Sequence, residues 1–160
     1  MSNATNVPSG QIANSAGRMF ENTVSNAVAH KNYTLLNKRE AAAFLYDITM
    51  PPYAKWYTEQ ARFGQNIYQA DWKIDIVLFN ADKFPDCLVI ECKWQASSGS
   101  VDEKYPFTVL SLKNLPQPSV LVLDGGGARK KSIEWIKRQQ TSKFKFMTLP
   151  QFLLWAQTEL

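Results

Sequence analysis

Two hydrophobic runs lie near the middle of the chain, DIVLFN at residues 75–80 and CLVIECKWQ at residues 87–95. Each is rich in branched and bulky apolar residues and shorter than an ordinary helix, which is typical of β-strands. The segment between them, ADKFPD, contains polar residues and a proline that favour a turn. We therefore predict an antiparallel hairpin, with strands at residues 72–80 and 87–94 and a turn at residues 81–86.

The end of the second strand carries three polar residues at alternating positions. Side chains two residues apart point to the same face of a strand, so Glu91, Lys93 and Gln95 form one row with about 7 Å between neighbours. With the turn centred midway between the strands, Asp75 lies opposite Cys92 and within about one residue of Glu91. Two carboxylates and an amine therefore converge on one part of the hairpin.

This polar cluster has two interpretations: the solvated end of a two-sided sheet, or a site for a cation. The positions predicted to share its face nearer the turn are apolar, namely Val77, Phe79, Cys87 and Val89. Carboxylates beside a buried apolar face need a cation or hydrogen-bond donors to stay ionised. Asp75 and Glu91 offer the hard oxygen ligands that Mg²⁺ prefers, and Lys93 would orient or activate the water that attacks phosphorus.

The rest of the chain alternates between helical and strand patterns around this hairpin. The second predicted helix begins at the Asn37/Glu40 capping box and ends at Ile48, before Pro51 and Pro52. The other predicted helices span residues 11–30, 101–115, 128–140 and 151–157. Further strands are predicted at residues 62–69, 119–123 and 144–148. The last two strands and the helix between them form a βαβ unit, so these strands should be parallel. The fold class is therefore α/β, with a mixed sheet flanked by helices. Residues 1–10 are predicted to be a flexible N-terminus, and residues 11–160 a single domain.

Asp75, a hairpin and then Glu91-x-Lys93 on the next strand resemble the PD-(D/E)xK nuclease superfamily. The superfamily's restriction-endonuclease-like core, α-β-β-β-α-β, matches the predicted element order over most of the chain. The resemblance implies that Asp75 and Glu91 bind Mg²⁺, with Mn²⁺ as a substitute, and that Lys93 assists the water. It also adds Cys92 to the metal-binding positions. The Pro-Asp of the superfamily's name is absent, because Ile74 precedes Asp75.

Further candidates follow from the same resemblance. The superfamily often has an acidic residue on its first helix, and Glu21 is the match, with a solvated helix charge as the alternative. The run through Gln95 and then residues 99–104 looks like that of small stand-alone nucleases of phages and bacteria. In that context Gln95 supports the site or contacts phosphate, and Ser100 and Lys104 lie near the scissile strand. An ordinary helix cap is the alternative for the latter two.

The positive charge of the chain is concentrated near its C-terminal end. The net charge is +4, whereas residues 125–145 alone carry +6. The bases in this stretch are Arg129, Lys130, Lys131, Lys137, Arg138, Lys143 and Lys145. A solvated helix face and a phosphate-binding surface both fit such a run, and we assign the first five of these bases to DNA binding.

Several other kinds of protein are disfavoured by the composition. A chain of 160 residues fits one domain of ~100 to 200 residues, and no apolar run reaches the ~18 needed for a membrane span. The first residues lack the layout of a secretory signal, so we expect a soluble protein in the cytoplasm of a bacterium or phage-infected cell. Cys87 and Cys92 lie an odd number of residues apart on one strand, so they should not form a disulfide.

Three alternative sites are weaker. The glycines at 125–127 lack the Lys-Ser/Thr of a nucleotide-binding loop, so a tight turn between strand and helix is favoured. His30 is the sole histidine and has no serine or cysteine pattern around it, which makes a Ser-His-Asp site improbable. Tyr53, Trp56 and Tyr57 are better explained by core packing than by base stacking.

The sequence thus predicts a Mg²⁺-dependent DNA endonuclease, site-specific and of the restriction or homing type. Cutting both strands of a duplex requires two centres, so we expect a homodimer or higher symmetric oligomer. Two alternatives remain at this point. One is a nucleic-acid-binding module that keeps the fold without cutting, and the other is a Holliday junction resolvase.

Overall fold

The computed structural model describes residues 9–46 and 53–160. The helices within these ranges are α1 (Ser9–Ala29), α2 (Lys38–Tyr46), α3 (Tyr105–Asn114), α4 (Lys130–Arg138) and α5 (Leu149–Glu159), and a short 3₁₀ helix spans Ser100–Lys104. The strands are β1 (Thr34–Leu35), β2 (Lys55–Gln65), β3 (Asp71–Asn80), β4 (Phe84–Trp94), β5 (Ser119–Asp124) and β6 (Phe144–Thr148).

The strands of the described ranges form one six-stranded mixed sheet in the order β1-β2-β3-β4-β5-β6. Strands β2, β3 and β4 are antiparallel, β4, β5 and β6 are parallel, and β1 lies parallel to β2. The antiparallel hairpin and the parallel βαβ pair of the sequence analysis are both confirmed. Together with helices on both faces, this arrangement is a mixed α/β fold consistent with a restriction-endonuclease-like core.

Helices cover the sheet on both faces, and each face has its own hydrophobic core. One core joins the sheet to α1 and α5 through residues such as Phe20, Val24 and Phe152. The other joins it to α2, α3 and α4 through residues such as Val109 and Ile136. Strand β5, whose four central residues (120–123) are all apolar, is buried between the two layers because a central parallel strand has both faces covered.

Strand β2 begins at Lys55, seven positions before the predicted start at residue 62. The missed segment contains Trp56 and Tyr57, which are 1% and 4% exposed and pack into the two opposite cores. A strand buried on both faces lacks the alternation of polar and apolar residues that identifies a half-buried one. Core packing is confirmed for these two aromatic residues, whereas Tyr53 is exposed.

Two helix boundaries also differ from prediction. Helix α1 begins at Ser9, within the segment predicted to be flexible, and residues 1–8 lie outside the described residues. The capping box before α2 is confirmed, since the Asn37 side chain accepts from the Glu40 backbone at 3.0 Å and Glu40 accepts from the Asn37 backbone at 2.9 Å. The predicted end of that helix, at residues 47–52, also lies outside the described residues.

The β3–β4 turn is shorter than predicted, because Phe84 already belongs to β4. Ile76 pairs with Ile90, while Asn80 pairs with Phe84 beyond a register shift. Extended by one position, the Ile76 pair places Asp75 beside Glu91, one residue from the predicted register. The hairpin therefore brings the two carboxylates even closer in register than the sequence indicated.

The two cysteines agree with the expectation that they form no disulfide. Cys87 and Cys92 are free and buried, and they belong to the cores on opposite faces of the sheet. Within residues 9–46 and 53–160, no helix is both long enough and apolar enough to cross a membrane.

Candidate active site

The two acidic residues of the hairpin are held together where β3 and β4 separate. The last β3–β4 ladder pair on this side is Ile76 with Ile90, after which β4 continues in its pairing with β5. Beyond that pair, side chains replace the backbone ladder. Asp75 Oδ2 accepts the backbone N–H of Cys92 at 2.8 Å, and the Asp75 backbone N–H donates to Glu91 Oε2 at 3.4 Å.

Lys93 completes the cluster from the same strand as Glu91. Its Nζ lies 2.5 Å from Glu91 Oε1, as two residues of one strand with side chains on the same face allow. The Glu91 side chain is 5% exposed and that of Lys93 is 27% exposed. Glu91 is therefore buried behind an ammonium group that still reaches solvent.

Burial and neighbouring charges perturb both members of this pair. Burial raises the pKa of Glu91 to about 7, and the nearby Lys93 ammonium offsets only part of that effect. Burial acts to lower the pKa of Lys93, but the Glu91 and Asp75 carboxylates outweigh it and raise that pKa. Perturbed ionisable groups that share a cleft are typical of functional sites.

The Asp75 side chain lies on the α1 side of the sheet, whereas the side chains of Val77 and Phe79 lie on the opposite side. In β3, Ile74 packs into the core with α2, α3 and α4, whereas Ile76 packs into the core with α1 and α5. Strict alternation is therefore broken at Asp75, between these two residues. The expectation that Val77 and Phe79 share a face with Asp75 is wrong, since both pack into the core on the other side.

Helix α1 brings a third carboxylate to the site. Gln60 Nε2 donates to Asp75 Oδ1 at 2.8 Å and to Glu21 Oε2 at 3.2 Å, so the amide bridges the two acids. Burial raises the pKa of Glu21, and the Asp75 carboxylate raises it further. Glu21 therefore reaches the sheet through Gln60, as an acidic site residue on the first helix would, and is not merely a solvated helix charge.

These residues surround an open cleft of about 740 Å³. Its lining residues are Gly17, Arg18, Glu21, Gln60, Lys73, Asp75, Cys92, Lys93 and Trp94. Glu91 lies behind this wall. Sequence reasoning missed Arg18, Gln60 and Lys73, because none of them belongs to a motif and each comes from a different element.

The donors in the cleft suit Mg²⁺ better than a softer metal. Among the described residues, no three His, Cys, Asp or Glu side chains form a group that could hold a metal ion. Mg²⁺ does not need one, since it is commonly bound by one or two carboxylates and keeps several waters. Asp75, which lines the cleft, and Glu91, which lies directly behind it, could supply these carboxylates.

The assignment of Cys92 to the metal-binding positions stays a prediction. The Cys92 thiol is buried, and burial together with nearby carboxylates raises its pKa well above the usual value. The residue contacts the site through its backbone N–H, which holds Asp75.

Gln95 is committed to contacts within the protein. It is 3% exposed, its Oε1 accepts from the Tyr105 hydroxyl, and its Nε2 lies 3.1 Å from Ser97 O and 3.3 Å from Gly127 O. The backbone N–H of Gly127 also donates to Gln95 O at 2.7 Å. Gln95 therefore ties the glycine turn to the end of β4, which supports the site without leaving the amide free for phosphate.

The glycine segment is the tight turn that its sequence favoured. Gly125 and Gly126 have φ values of 106° and 72°, in the left-handed region that glycine adopts readily. A Cβ on Gly125 would lie 2.4 Å from Gln95 O, and a Cβ on Gly127 would lie 2.4 Å from Ser97 N. The turn packs directly on the backbone that follows Lys93.

The predicted DNA-binding residues lie on the 3₁₀ helix and on α4 with the residue before it, and the two elements are in contact at one end of α4. Ser100 and Lys104 are the first and last residues of the 3₁₀ helix, and Lys104 is exposed. Arg129 pairs with Asp102 at 3.3 Å, which links the start of α4 to that helix. The exposed bases of α4 itself are Lys130 and Lys131 in its first turn and Lys137 and Arg138 in its last.

Helix α4 lies on the opposite side of the sheet from α1 and its cleft. Its first turn follows the glycine turn, which lies at the C-terminal ends of β4 and β5, where Lys93 and Gln95 lie. Its last turn leads to the start of β6, at the opposite end of these parallel strands. The structure therefore brings only the beginning of the basic stretch near the site.

A comparison with known protein families matches residues 12–160 to the PD-(D/E)XK nuclease superfamily domain. Among curated proteins and solved structures, none matches the chain significantly. Because the match spans almost the whole chain, the protein belongs to the PD-(D/E)XK nuclease superfamily. This membership supports a nuclease-type function for the cluster around Asp75, Glu91 and Lys93.

Proposed function

We propose that the protein is a Mg²⁺-dependent DNA endonuclease that hydrolyses phosphodiester bonds at defined sites, as restriction and homing enzymes do. The observation that carries the proposal is the clamping of Asp75 and Glu91 across two separating strands, beside the ammonium of Lys93. Asp75 and Glu91 would hold the cation, with Mn²⁺ as a substitute. When bound, the metal would neutralise charge that develops on the phosphate oxygens.

The protein's own groups have defined tasks in this reaction. Lys93 has a raised pKa, so it remains an ammonium at neutral pH and donates hydrogen bonds to the attacking water or to a phosphate oxygen. Gln60 holds Asp75 from β2 and donates to Glu21 of α1 as well, and the Cys92 backbone holds Asp75 from β4. Gln95 fixes the strand end that carries Lys93.

The main alternative is a binding module that keeps the fold but does not cut. Arg18, Lys73 and Lys93 could bind phosphate in this cleft by themselves, so a module that only binds would not need the carboxylates of Asp75 and Glu21 there. A junction resolvase is a second alternative and differs only in its substrate.

Incubating plasmid DNA with the protein and Mg²⁺ tests the proposal. We expect nicking that EDTA stops and that Lys93→Ala reduces by at least about 10²-fold, as for loss of a transition-state hydrogen-bond donor. Discrete fragments would support site specificity, and cutting of four-way junctions alone would favour the resolvase. Absence of Mg²⁺-dependent cleavage on duplex, junction and single-stranded DNA would leave the binding module.

We also propose that the protein acts as a homodimer or higher symmetric oligomer. The described chain provides one cluster of Asp75, Glu91 and Lys93, and a symmetric pair of such clusters would address both strands of a duplex. Sedimentation of the protein with and without DNA would show whether the cutting species contains two chains.

The DNA backbone needs cations near the cleft, and the structure has a set that the sequence did not reveal. A second cleft of about 700 Å³ shares Gln60 and Lys73 with the first and also contains Lys38 and Arg62. Lys38, Arg62 and Lys73 are all exposed. We propose that this cleft binds one DNA strand, while Ser100, Lys104 and the basic residues of α4 (Arg129, Lys130, Lys131, Lys137 and Arg138) contact the backbone elsewhere.

We expect the double variant Lys38→Ala/Arg62→Ala to weaken DNA binding in Ca²⁺. The slope of log K against log salt should become less negative by about 2, or about one per lost phosphate contact. Lys83→Ala/Lys145→Ala is the matched control, since both lysines are exposed, Lys83 lies in the turn at the other end of β3 from Lys73, and Lys145 lies on β6, at the other side of the sheet from β1 and β2. Fluorescence anisotropy at several salt concentrations measures both. Equal slopes for the two double variants would place the strand elsewhere.

Metal binding should depend on pH through Glu91. Its pKa of about 7 means that it is largely protonated at pH 6 and ionised at pH 8. Since a ligand carboxylate must lose its proton, we expect Mg²⁺ or Mn²⁺ affinity to fall roughly tenfold per pH unit below 7, with about one proton released at pH 6. Calorimetry in buffers of different ionisation enthalpy measures this release. Glu91→Gln should abolish it, and an unchanged release would assign the proton to another group.

A further inference from the structure

Gln60 combines an unusual backbone with unusual contacts. It lies inside β2 with φ of 52°, in the left-handed region that non-glycine residues rarely adopt within a strand. The β2–β3 pairs on either side of it place it opposite Asp75. Strained backbone persists where the surrounding structure requires it, and it often occurs at functional sites.

The Gln60 side chain uses its single amide nitrogen to contact two acids. The distances are 2.8 Å to Asp75 Oδ1 and 3.2 Å to Glu21 Oε2, so each amide hydrogen has a carboxylate acceptor. On the other side, the Cys92 backbone N–H holds Asp75 Oδ2 at 2.8 Å. Asp75 is thus fixed through both of its oxygens, from two different strands.

We propose that Gln60 is a positioning residue for the metal site, which accepts a strained backbone so that its amide can fix the Asp75 carboxylate and separate it from Glu21. The inference deepens the proposed function and rests on it. Gln60 does not need to touch the cation. It acts through Asp75, in the way that outer hydrogen-bond partners orient the ligands of metal sites.

A glycine substitution separates this role from a purely structural one. Gln60→Gly relieves the left-handed strain and removes both hydrogen bonds, so the relieved strain offsets the lost contacts. We expect the melting temperature of the metal-free protein to stay within about 4 °C of the wild type. We expect the dissociation constant for Mn²⁺ alone, measured by calorimetry, to rise by about 10- to 100-fold.

Gln69→Gly is the matched control. Gln69 is also a glutamine with positive φ, 60°, but it lies in the exposed turn between β2 and β3. The same substitution there should leave the Mn²⁺ dissociation constant unchanged. Gln60→Met, which keeps the length of the side chain without its donors, should weaken Mn²⁺ binding as the glycine variant does.

The outcomes separate this inference from the proposed function. Weakened Mn²⁺ binding in both Gln60 variants, with melting temperatures near the wild type, would support it. Wild-type Mn²⁺ affinity in Gln60→Gly, to within about threefold, would overturn it while leaving the metal-dependent nuclease intact. A fall of more than about 10 °C in both Gln60 variants would overturn it in favour of a structural role. If the wild-type protein binds no Mn²⁺, the proposed function fails and this inference fails with it.

Discussion

Asp75→Asn is expected to abolish metal-dependent DNA cleavage while leaving a folded protein that binds DNA in Ca²⁺. The substitution removes a negatively charged metal ligand with almost no change of shape. A bound metal contributes several kcal/mol to the transition state, so we expect cleavage to fall on the order of 10³-fold or more. Plasmid nicking in Mg²⁺ and anisotropy in Ca²⁺ measure the two properties separately.

The effect on stability should be small by comparison. Asp75 accepts hydrogen bonds from Cys92 and Gln60, and an asparagine keeps an acceptor for only one of these two donors. Loss of one hydrogen bond costs about 1 kcal/mol, or a few degrees in melting temperature for a chain of this length. Asp82→Asn, in the exposed turn at the other end of β3, is the matched control and should cleave normally. Full cleavage by Asp75→Asn would mean that the site is misplaced.

Gly125→Ala is expected to give the largest loss of stability. The new Cβ would lie 2.4 Å from Gln95 O, and φ of 106° is unfavourable for alanine. Overpacking costs about 1 to 3 kcal/mol and the positive φ about 1 more, so the melting temperature should fall by roughly 6 to 12 °C. Because Gln95 lies two residues after Lys93, the displacement should also reduce cleavage.

Two neighbouring glycines provide controls for this prediction. A Cβ on Gly127 meets the backbone of Ser97 at 2.4 Å, so Gly127→Ala should be destabilising through contact alone. A Cβ on Gly126 meets nothing within 4 Å, so Gly126→Ala should cost only the strain of its φ, about 1 kcal/mol. Thermal denaturation of the three variants ranks them. Equal melting temperatures would show that the turn does not pack against the end of β4.

Much of the fold could be predicted because its signals are local. The hairpin follows from two apolar runs around a short polar turn, and the parallel pair β5–β6 follows from two short apolar runs separated by a helix. The carboxylates of Asp75 and Glu91 could be placed together because strand periodicity and hairpin pairing are geometric rules.

The rest of the site depends on contacts between distant segments, which local patterns do not contain. Gln60 is an ordinary glutamine in sequence, and its role arises from a left-handed backbone opposite Asp75. Lys73 and Arg62 line the second cleft together only once β2 and β3 have paired. The break in alternation at Asp75 is equally invisible, because strand rules assume an unbroken period of two.

The basic stretch is easy to find in the sequence, but its position relative to the site is not. Its charge density is a clear feature of the sequence, but charge along the chain does not tell which end of a helix approaches the site. In the structure α4 lies across the sheet from α1, so Lys137 and Arg138 are separated from the cleft by the sheet and by the length of the helix. A DNA-binding role for these two residues remains a prediction.

The proposed nuclease activity requires that Asp75 and Glu91 jointly hold a divalent cation beside Lys93. The most direct measurement is an anomalous difference map from crystals of the protein soaked in Mn²⁺. We expect one peak in contact with carboxylate oxygens of both acids, and we expect it to disappear in crystals of Asp75→Asn. A peak bound by other residues, or none at a concentration of Mn²⁺ that supports cleavage, would contradict it.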